Sequence, residues 1–203
     1  MKIFCIGRNY VDHIKELNNL VPDSPVIFMK PDTALLKDNE PFYHPSFSQD
    51  IHHEVELVVR IDRVGKKIQE QFAHKYYNEI GLGIDFTARD VQNIQKQKGL
   101  PWEIAKAFDG SAPIGAFINK KEITDLKNIN FSLTKNGVQM QQGNSSLMIY
   151  SVDFIIHHLS QYFTLKVGDL IYTGTPIGVS KVNIGDVLEG FIEGEKSLHC
   201  EVK

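Results

Sequence analysis

Cysteine is scarce: Cys5 and Cys200 are the two in 203 residues, and they stand at opposite ends of the chain. That leaves no disulfide framework and no cysteine-rich metal site. Without an export signal the pair reads as two reduced thiols, and neither sits in a motif. Long apolar runs are missing too. None approaches the length that spans a bilayer, and Met1 to Gly7 is too short for a signal peptide. The expectation is a cytoplasmic protein with no membrane partner. Charge of one sign is not in excess: the formal net charge is −3, and basic residues do not cluster with aromatics. This disfavours nucleic acid and anionic membranes as partners. There is no internal repeat, low-complexity segment or heptad run, and no regular strand–helix–strand alternation, which argues against a doubly wound parallel sheet.

What is present suits a folded core. A hydrophobic fraction of 42% over 203 residues predicts one domain covering residues 1–203. Strand patterns outnumber helical ones. Strands are expected at 2–6, 26–29, 53–61, 80–84, 114–118, 131–134, 138–141, 170–173, 187–192 and 197–202, with an Asn136-Gly137 turn closing a hairpin. Helical spacing of Tyr10, Ile14 and Leu17 predicts a helix from Tyr10 to about Asn18. A weak helix is expected over 69–76. Thr87 is placed to cap a helix from Ala88 to Lys98 that stops at Gly99, and Ser151 to cap one from Val152 to about Tyr162. The stretch 32–50 is irregular. The fold class is α+β, predominantly β.

The segment His53-Glu54-Val55-Glu56-Leu57-Val58-Val59 carries the strongest chemical signal. On a strand Val55, Leu57 and Val59 face one way and Glu54 and Glu56 the other. Paired carboxylates repel unless a cation or proton lies between them. Asp85 closes another apolar run, Ile80 to Ile84. Three acidic oxygens on rigid strands suit a hard divalent cation such as Mg or Mn, although alternation on a solvated strand face gives the same pattern. His13 and Glu16 share a helix face, as an oriented base or as a surface ion pair. Lys106 precedes an Asp109-Gly110 turn, where it either meets an anionic substrate, balances the acidic cluster or is simply solvated. The glycine-rich loop Thr173 to Gly178 lacks the spacing and the lysine of a phosphate cradle. The pairs His52-His53 and His157-His158 lack metal-ligand spacing and read as structural or surface residues.

Six segments in order carry a resemblance: Gly7-Arg8-Asn9-Tyr10 with His13 and Glu16, Phe28-Met29-Lys30-Pro31, His53 to Leu57, Asp85 to Gln92, Lys106-x-Phe-Asp-Gly with Pro113, and Thr173-Gly174-Thr175-Pro176. Together the chain resembles the fumarylacetoacetate hydrolase family, in its short acylpyruvate hydrolase and oxaloacetate decarboxylase branch. The resemblance implies a mixed β-roll, an N-terminal lid helix at about residues 10–20, a homodimer and a Mg or Mn ion. It implies Glu54, Glu56 and Asp85 as metal ligands and His13 with Glu16 as a catalytic dyad. Lys106 has a catalytic and substrate-contacting place, Gln92 and Thr175 contact substrate, and Arg89 steadies the site. The implied reaction is cleavage of a C–C bond in a small 2,4-dioxo acid, or decarboxylation of oxaloacetate, through an enolate. The alternatives are an isomerase or decarboxylase acting on 2-hydroxydienedioate-type compounds, or a metal-stabilised binding module without turnover. The chain begins close to the Gly-Arg-Asn motif, which argues against fumarylacetoacetate itself as substrate. Ile84 stands where the family often has Asn, and Ser145 where it often has Thr, so specificity stays open.

Overall fold

The structure, a computed structural model, describes residues 1–17 and 20–203. Its centre is a six-stranded mixed sheet in the spatial order Val26–Lys30, Ile3–Gly7, Leu170–Tyr172, Val55–Ile61, Tyr77–Ile84, Ile118–Asn119. Ile3–Gly7 runs parallel to Leu170–Tyr172, and the other neighbours are antiparallel. A four-stranded antiparallel sheet packs against it, in the order Val138–Asn144, Asn130–Lys135, Val187–Ile192, Glu195–Glu201. Three short strands, Ser180–Lys181, Ile51–His53 and Thr87–Ala88, form a small third sheet beside the carboxylate segment. Among the described residues four short α-helices complete the strand-rich α+β roll: α1 (Val11–Glu16), α2 (Arg89–Lys98), α3 (Glu103–Lys106) and α4 (Val152–Tyr162).

The alternation expected around Val55 holds, but both faces are covered. Val55, Leu57 and Val59 enter the main core with Leu133, Leu188 and Leu198 of the second sheet. Val58, on the Glu56 side, packs with Ile3, Cys5 and Tyr172 in a second apolar cluster. The carboxylate face is therefore interior. Burying one such aliphatic side chain contributes roughly 1.5–3 kcal/mol relative to exposure, so the strands under the carboxylates form a firm base. Cys5 and Cys200 are free and buried.

Several local expectations hold for the reasons given. The Asn136-Gly137 turn has positive φ at both residues, 54° and 77°, as a tight hairpin requires. The Ser151 hydroxyl accepts from Phe154 N and caps α4. Gly99 ends α2 in the left-handed conformation. Others are corrected. Thr87 does not cap α2: its hydroxyl donates to Asp85 O and receives the Lys106 ammonium. Residues 114–117 are not a strand, because pairing there is confined to Ala112–Pro113, Ile118–Asn119 and a single bridge at Ile114. α1 is shorter than expected, and Asn18, its expected end, lies outside the described residues. The helix α3 was not expected at all, and it presents Lys106.

Candidate metal centre and active site

The acidic cluster follows from strand register. Val55 pairs with Ile84 and Glu56 with Gly83. Glu54 and Asp85 therefore lie one step beyond the same end of the pair, where Asp85 N donates to Glu54 O at 2.8 Å. Side-chain period two then turns Glu54, Glu56 and Asp85 toward one point. One carboxylate oxygen from each lies within 4.8 Å of the others, and all three residues are buried.

Cations surround this point. Lys106 Nζ donates to Glu54 Oε2 at 2.8 Å, Asp85 Oδ2 at 2.6 Å and Thr87 Oγ1 at 2.5 Å. Arg89 donates to Glu54 and, at 2.6 Å, to Gln92 Oε1. Of the readings open for Lys106, balancing the acidic cluster is the one observed. Lys30, fully buried, lies 2.8 Å from Asp85 Oδ1. Its ammonium is also within hydrogen-bond reach of the carbonyls of Lys106, Ser111 and Phe86 and of the Ser111 hydroxyl, so Asp85 Oδ1 holds it as an ion-pair partner and takes no well-directed hydrogen bond from it.

The three carboxylates are not equivalent. Burial pushes the Glu54 carboxyl up, but Lys106 and Arg89 outweigh it and hold the group well below the usual carboxylate range. Burial, followed by the charges of Asp85 and Glu54, drives Glu56 well above that range, and Gly174 N at 2.7 Å only partly compensates. Three buried carboxylate oxygens drawn together, one of them on a Glu56 carboxyl driven toward its protonated form, are what a hard cation with oxygen ligands relieves, so these residues fit a divalent ion.

The Gly-Arg-Asn-Tyr and Thr-Gly-Thr-Pro segments lock together beside the cluster. Asn9 Nδ2 donates to Thr173 O at 2.7 Å and Tyr150 O at 3.0 Å. Gly174 has φ +105°, and a Cβ there would lie 2.7 Å from Asn9 Cβ, so glycine is required for this approach. On α1, His13 Nδ1 lies 3.0 Å from Glu16 Oε2, while Glu16 Oε1 accepts from Gly178 N at 3.0 Å. His13 is buried while Glu16 stays exposed, so the pair runs from the cavity to the surface of α1. The imidazole has an acceptor at Nδ1, which leaves Nε2 as its basic nitrogen.

One cavity of about 30 Å³ is lined by His13, Glu54, Glu56, Asp85, Arg89, Gln92, Lys106 and Thr175. Every site residue that the resemblance implies lines it except Glu16, which contacts His13. Two larger surface depressions, of about 850 and 1120 Å³, contain none of these side chains, so chemistry and not size locates the site. Sequence reasoning missed two supports. Lys30 had a signal, a lysine ending an apolar strand, which is tolerated in a core only when paired. Gln141 had none: it sits mid-hairpin, yet its amide donates to Thr175 Oγ1 at 2.9 Å and its carbonyl lies 2.9 Å from His53 Nδ1.

Residues 2–203 match the family described as Fumarylacetoacetate (FAA) hydrolase C-terminal. The chain belongs to the fumarylacetoacetate hydrolase family. It is 43% identical over 201 residues to the mitochondrial oxaloacetate tautomerase FAHD1 of Rattus norvegicus, covering 99% of this chain and 91% of that one. It is 44% identical over 194 residues to oxaloacetate tautomerase YcgM of Escherichia coli, covering 95% of this chain and 89% of the relative. The crystal structure of a fumarylpyruvate hydrolase from Pseudomonas aeruginosa, in complex with Mn2+ and pyruvate, superposes with a TM-score of 0.94 at 34% identity, covering 100% of this chain and 89% of the other. Family membership thus agrees with the six ordered segments, and the fold expected from them is the one observed. No helix among the described residues is long and apolar enough to cross a membrane.

Proposed function

We propose that this chain is a Mg- or Mn-dependent enzyme of small 2-oxo acids, and that enol–keto tautomerisation of oxaloacetate is its principal reaction. The observation that carries this reading is the buried Glu54, Glu56 and Asp85 cluster facing the His13–Glu16 pair across one cavity. The two oxaloacetate tautomerases, similar over nearly their whole length, support the choice of reaction.

A bound divalent cation supplies Lewis acidity that stabilises negative charge on the 2-oxo oxygen. The protein's own residues do the rest. In the keto-to-enol direction His13 Nε2 takes the proton from substrate C3 and passes it to the 2-oxo oxygen, and in the other direction it takes the enol hydroxyl proton and gives it to C3. Glu16 holds the imidazole by Nδ1 and stabilises it when protonated. Lys106, fixed by two carboxylates, places positive charge beside the developing oxyanion. Gln92 and Thr175 supply neutral polar contacts, and Arg89 fixes both Glu54 and Gln92. α1, which buries His13 and Ile14, would shield the proton transfer from water.

A second reading, C–C cleavage or decarboxylation through the same enolate, is favoured by the Mn2+ and pyruvate complex of the fumarylpyruvate hydrolase. The decisive experiment follows enol–keto interconversion of oxaloacetate by ultraviolet absorbance, with carbon dioxide release measured in parallel. The expected result is fast interconversion with Mg or Mn, abolished by chelator and by His13→Ala, with the His13→Ala protein still binding the cation. Full activity of that variant would remove the dyad from the mechanism.

A further inference from the structure

Helix α2 turns a third residue toward the cavity. Arg89, Gln92 and Lys96 are spaced three and four apart, so they share one face. Arg89 and Gln92 are buried beside Glu54, whereas Lys96 is only half-buried, about 10 Å further along the helix by the rise of seven residues. Lys96 lines the same cavity, with its ammonium 5.4 Å from the centre of the Trp102 ring. Among the described residues no carboxylate oxygen lies within ion-pair distance of it. The charges that act on it most strongly are cationic. Burial, then Arg89 and Arg8, push the Lys96 ammonium down to about 8. Arg8 borders the same end of the cavity from a backbone at φ +62°, a left-handed conformation that costs a non-glycine residue roughly 1–2 kcal/mol.

The charge balance of the cavity points the same way. Three carboxylates and four cationic side chains line it, and Lys30 adds a further positive charge behind Asp85. Lys106, Arg89 and Lys30 already face the carboxylates. Lys96 stands at the more exposed end, next to a second cation, Arg8, and away from the carboxylates that the others neutralise. With a divalent ion among the carboxylates the excess of positive charge grows, and a substrate dianion restores the balance better than a monoanion.

We propose that Lys96, assisted by Arg8, is the subsite for the second carboxylate of the substrate, and that it makes the enzyme selective for 2-oxo dicarboxylates over 2-oxo monocarboxylates. This rests on the reading of the cavity as a 2-oxo acid site. It assigns the two ends of the ligand: the carboxylate and 2-oxo group at the acidic cluster, the distal carboxylate at Lys96.

The test compares two stable 2-hydroxy acids that differ by that carboxylate, malate and lactate, by calorimetric titration of the Mg-loaded protein. Wild type is expected to prefer malate, and Lys96→Gln to lower the malate-to-lactate affinity ratio about tenfold, the scale of one charge-assisted hydrogen bond. Lys96→Arg should retain the ratio. Arg8→Asn, which tolerates the left-handed backbone, should lower it. Lys98→Gln on the same helix, an equal change in net charge, should not move it. No preference in wild type, or a preference that survives Lys96→Gln, overturns the subsite. Turnover of oxaloacetate by wild type is measured alongside. If turnover is absent while a Lys96-dependent preference is present, the proposed reaction fails and the subsite stands. If turnover is present without such a preference, the reaction stands and the subsite fails.

Discussion

Glu56 receives one hydrogen bond, from Gly174 N, and has two carboxylates as neighbours. Its raised pKa means that the metal-free folded protein keeps a proton that the unfolded chain releases. The stability this group contributes is therefore present below the ordinary carboxylate range and is lost as pH rises through the raised folded value. A divalent cation must displace that proton, so cation binding should tighten with pH. Calorimetry at about pH 6 and about pH 8, in buffers of different ionisation heat, is expected to show tighter Mg binding at the higher pH and net proton release. Glu56→Gln should abolish the release and weaken binding by more than the roughly 10–100-fold typical of a residue that only orients a ligand. It should leave the metal-free fold as stable as wild type or more so as pH rises, because a neutral amide replaces a carboxyl that is tolerated there only while it is protonated. Unaltered Mg affinity in the variant would take Glu56 out of the ligand set.

At the scale of elements, α1 depends on its surroundings. Six residues cannot hold a helix in water, so α1 persists through the burial of His13 and Ile14 and the Glu16–Gly178 contact. Glu16→Gln keeps the shape and loses the charge. It is expected to lower kcat by about 10²-fold or more, the scale of a general-base contribution, with cation affinity unchanged and the acid limb of the pH–rate profile shifted. A uniform loss of folded protein without that shift would mean a structural role only. The hairpin Asn130–Asn144 is tied to the small third sheet by Gln141 and the neutral His53, whose pKa burial lowers to about 4. Because the unfolded chain protonates first, stability should fall by about 3 kcal/mol as pH drops from about 6.5 to about 4, and His53→Gln should flatten that slope in urea titrations. Legibility from sequence divides along the same lines. The Val55–Ile61 strand, the Asn136-Gly137 turn and the Ser151 cap were readable because local chemistry decides them. Glu54, Glu56 and Asp85 were readable as candidates, but the register that joins them is non-local. Thr87 has the residue type of a cap, and tertiary contact with Lys106 overrides it. Gln141 and Lys96 act through partners far along the chain or across the cavity, which no local pattern encodes.

The whole molecule is built around an interior that its own chain only partly neutralises. A six-stranded sheet covered on both faces holds three carboxylates and the ammonium groups of Lys30 and Lys106 out of water. Desolvating such groups costs several kcal/mol each even when they are paired, and a folded chain of this kind has only about 5–15 kcal/mol to spare. The cation should therefore act on global stability as well as on chemistry. At a free concentration about 100 times its dissociation constant it adds about 2.7 kcal/mol. For a chain of 203 residues, at about 2–4 °C per kcal/mol, calorimetry should show Tm rising by roughly 5–11 °C in Mg or Mn relative to chelator. The Asp85→Asn protein should lose most of that rise, because the substitution removes the charge of one of the three clustered carboxylates and leaves Lys30 and Lys106 beside the site. An equal rise in that variant would place the stabilising ion elsewhere on the molecule, and the acidic cluster would then stand as a self-contained ion-pair network around Lys106 and Lys30.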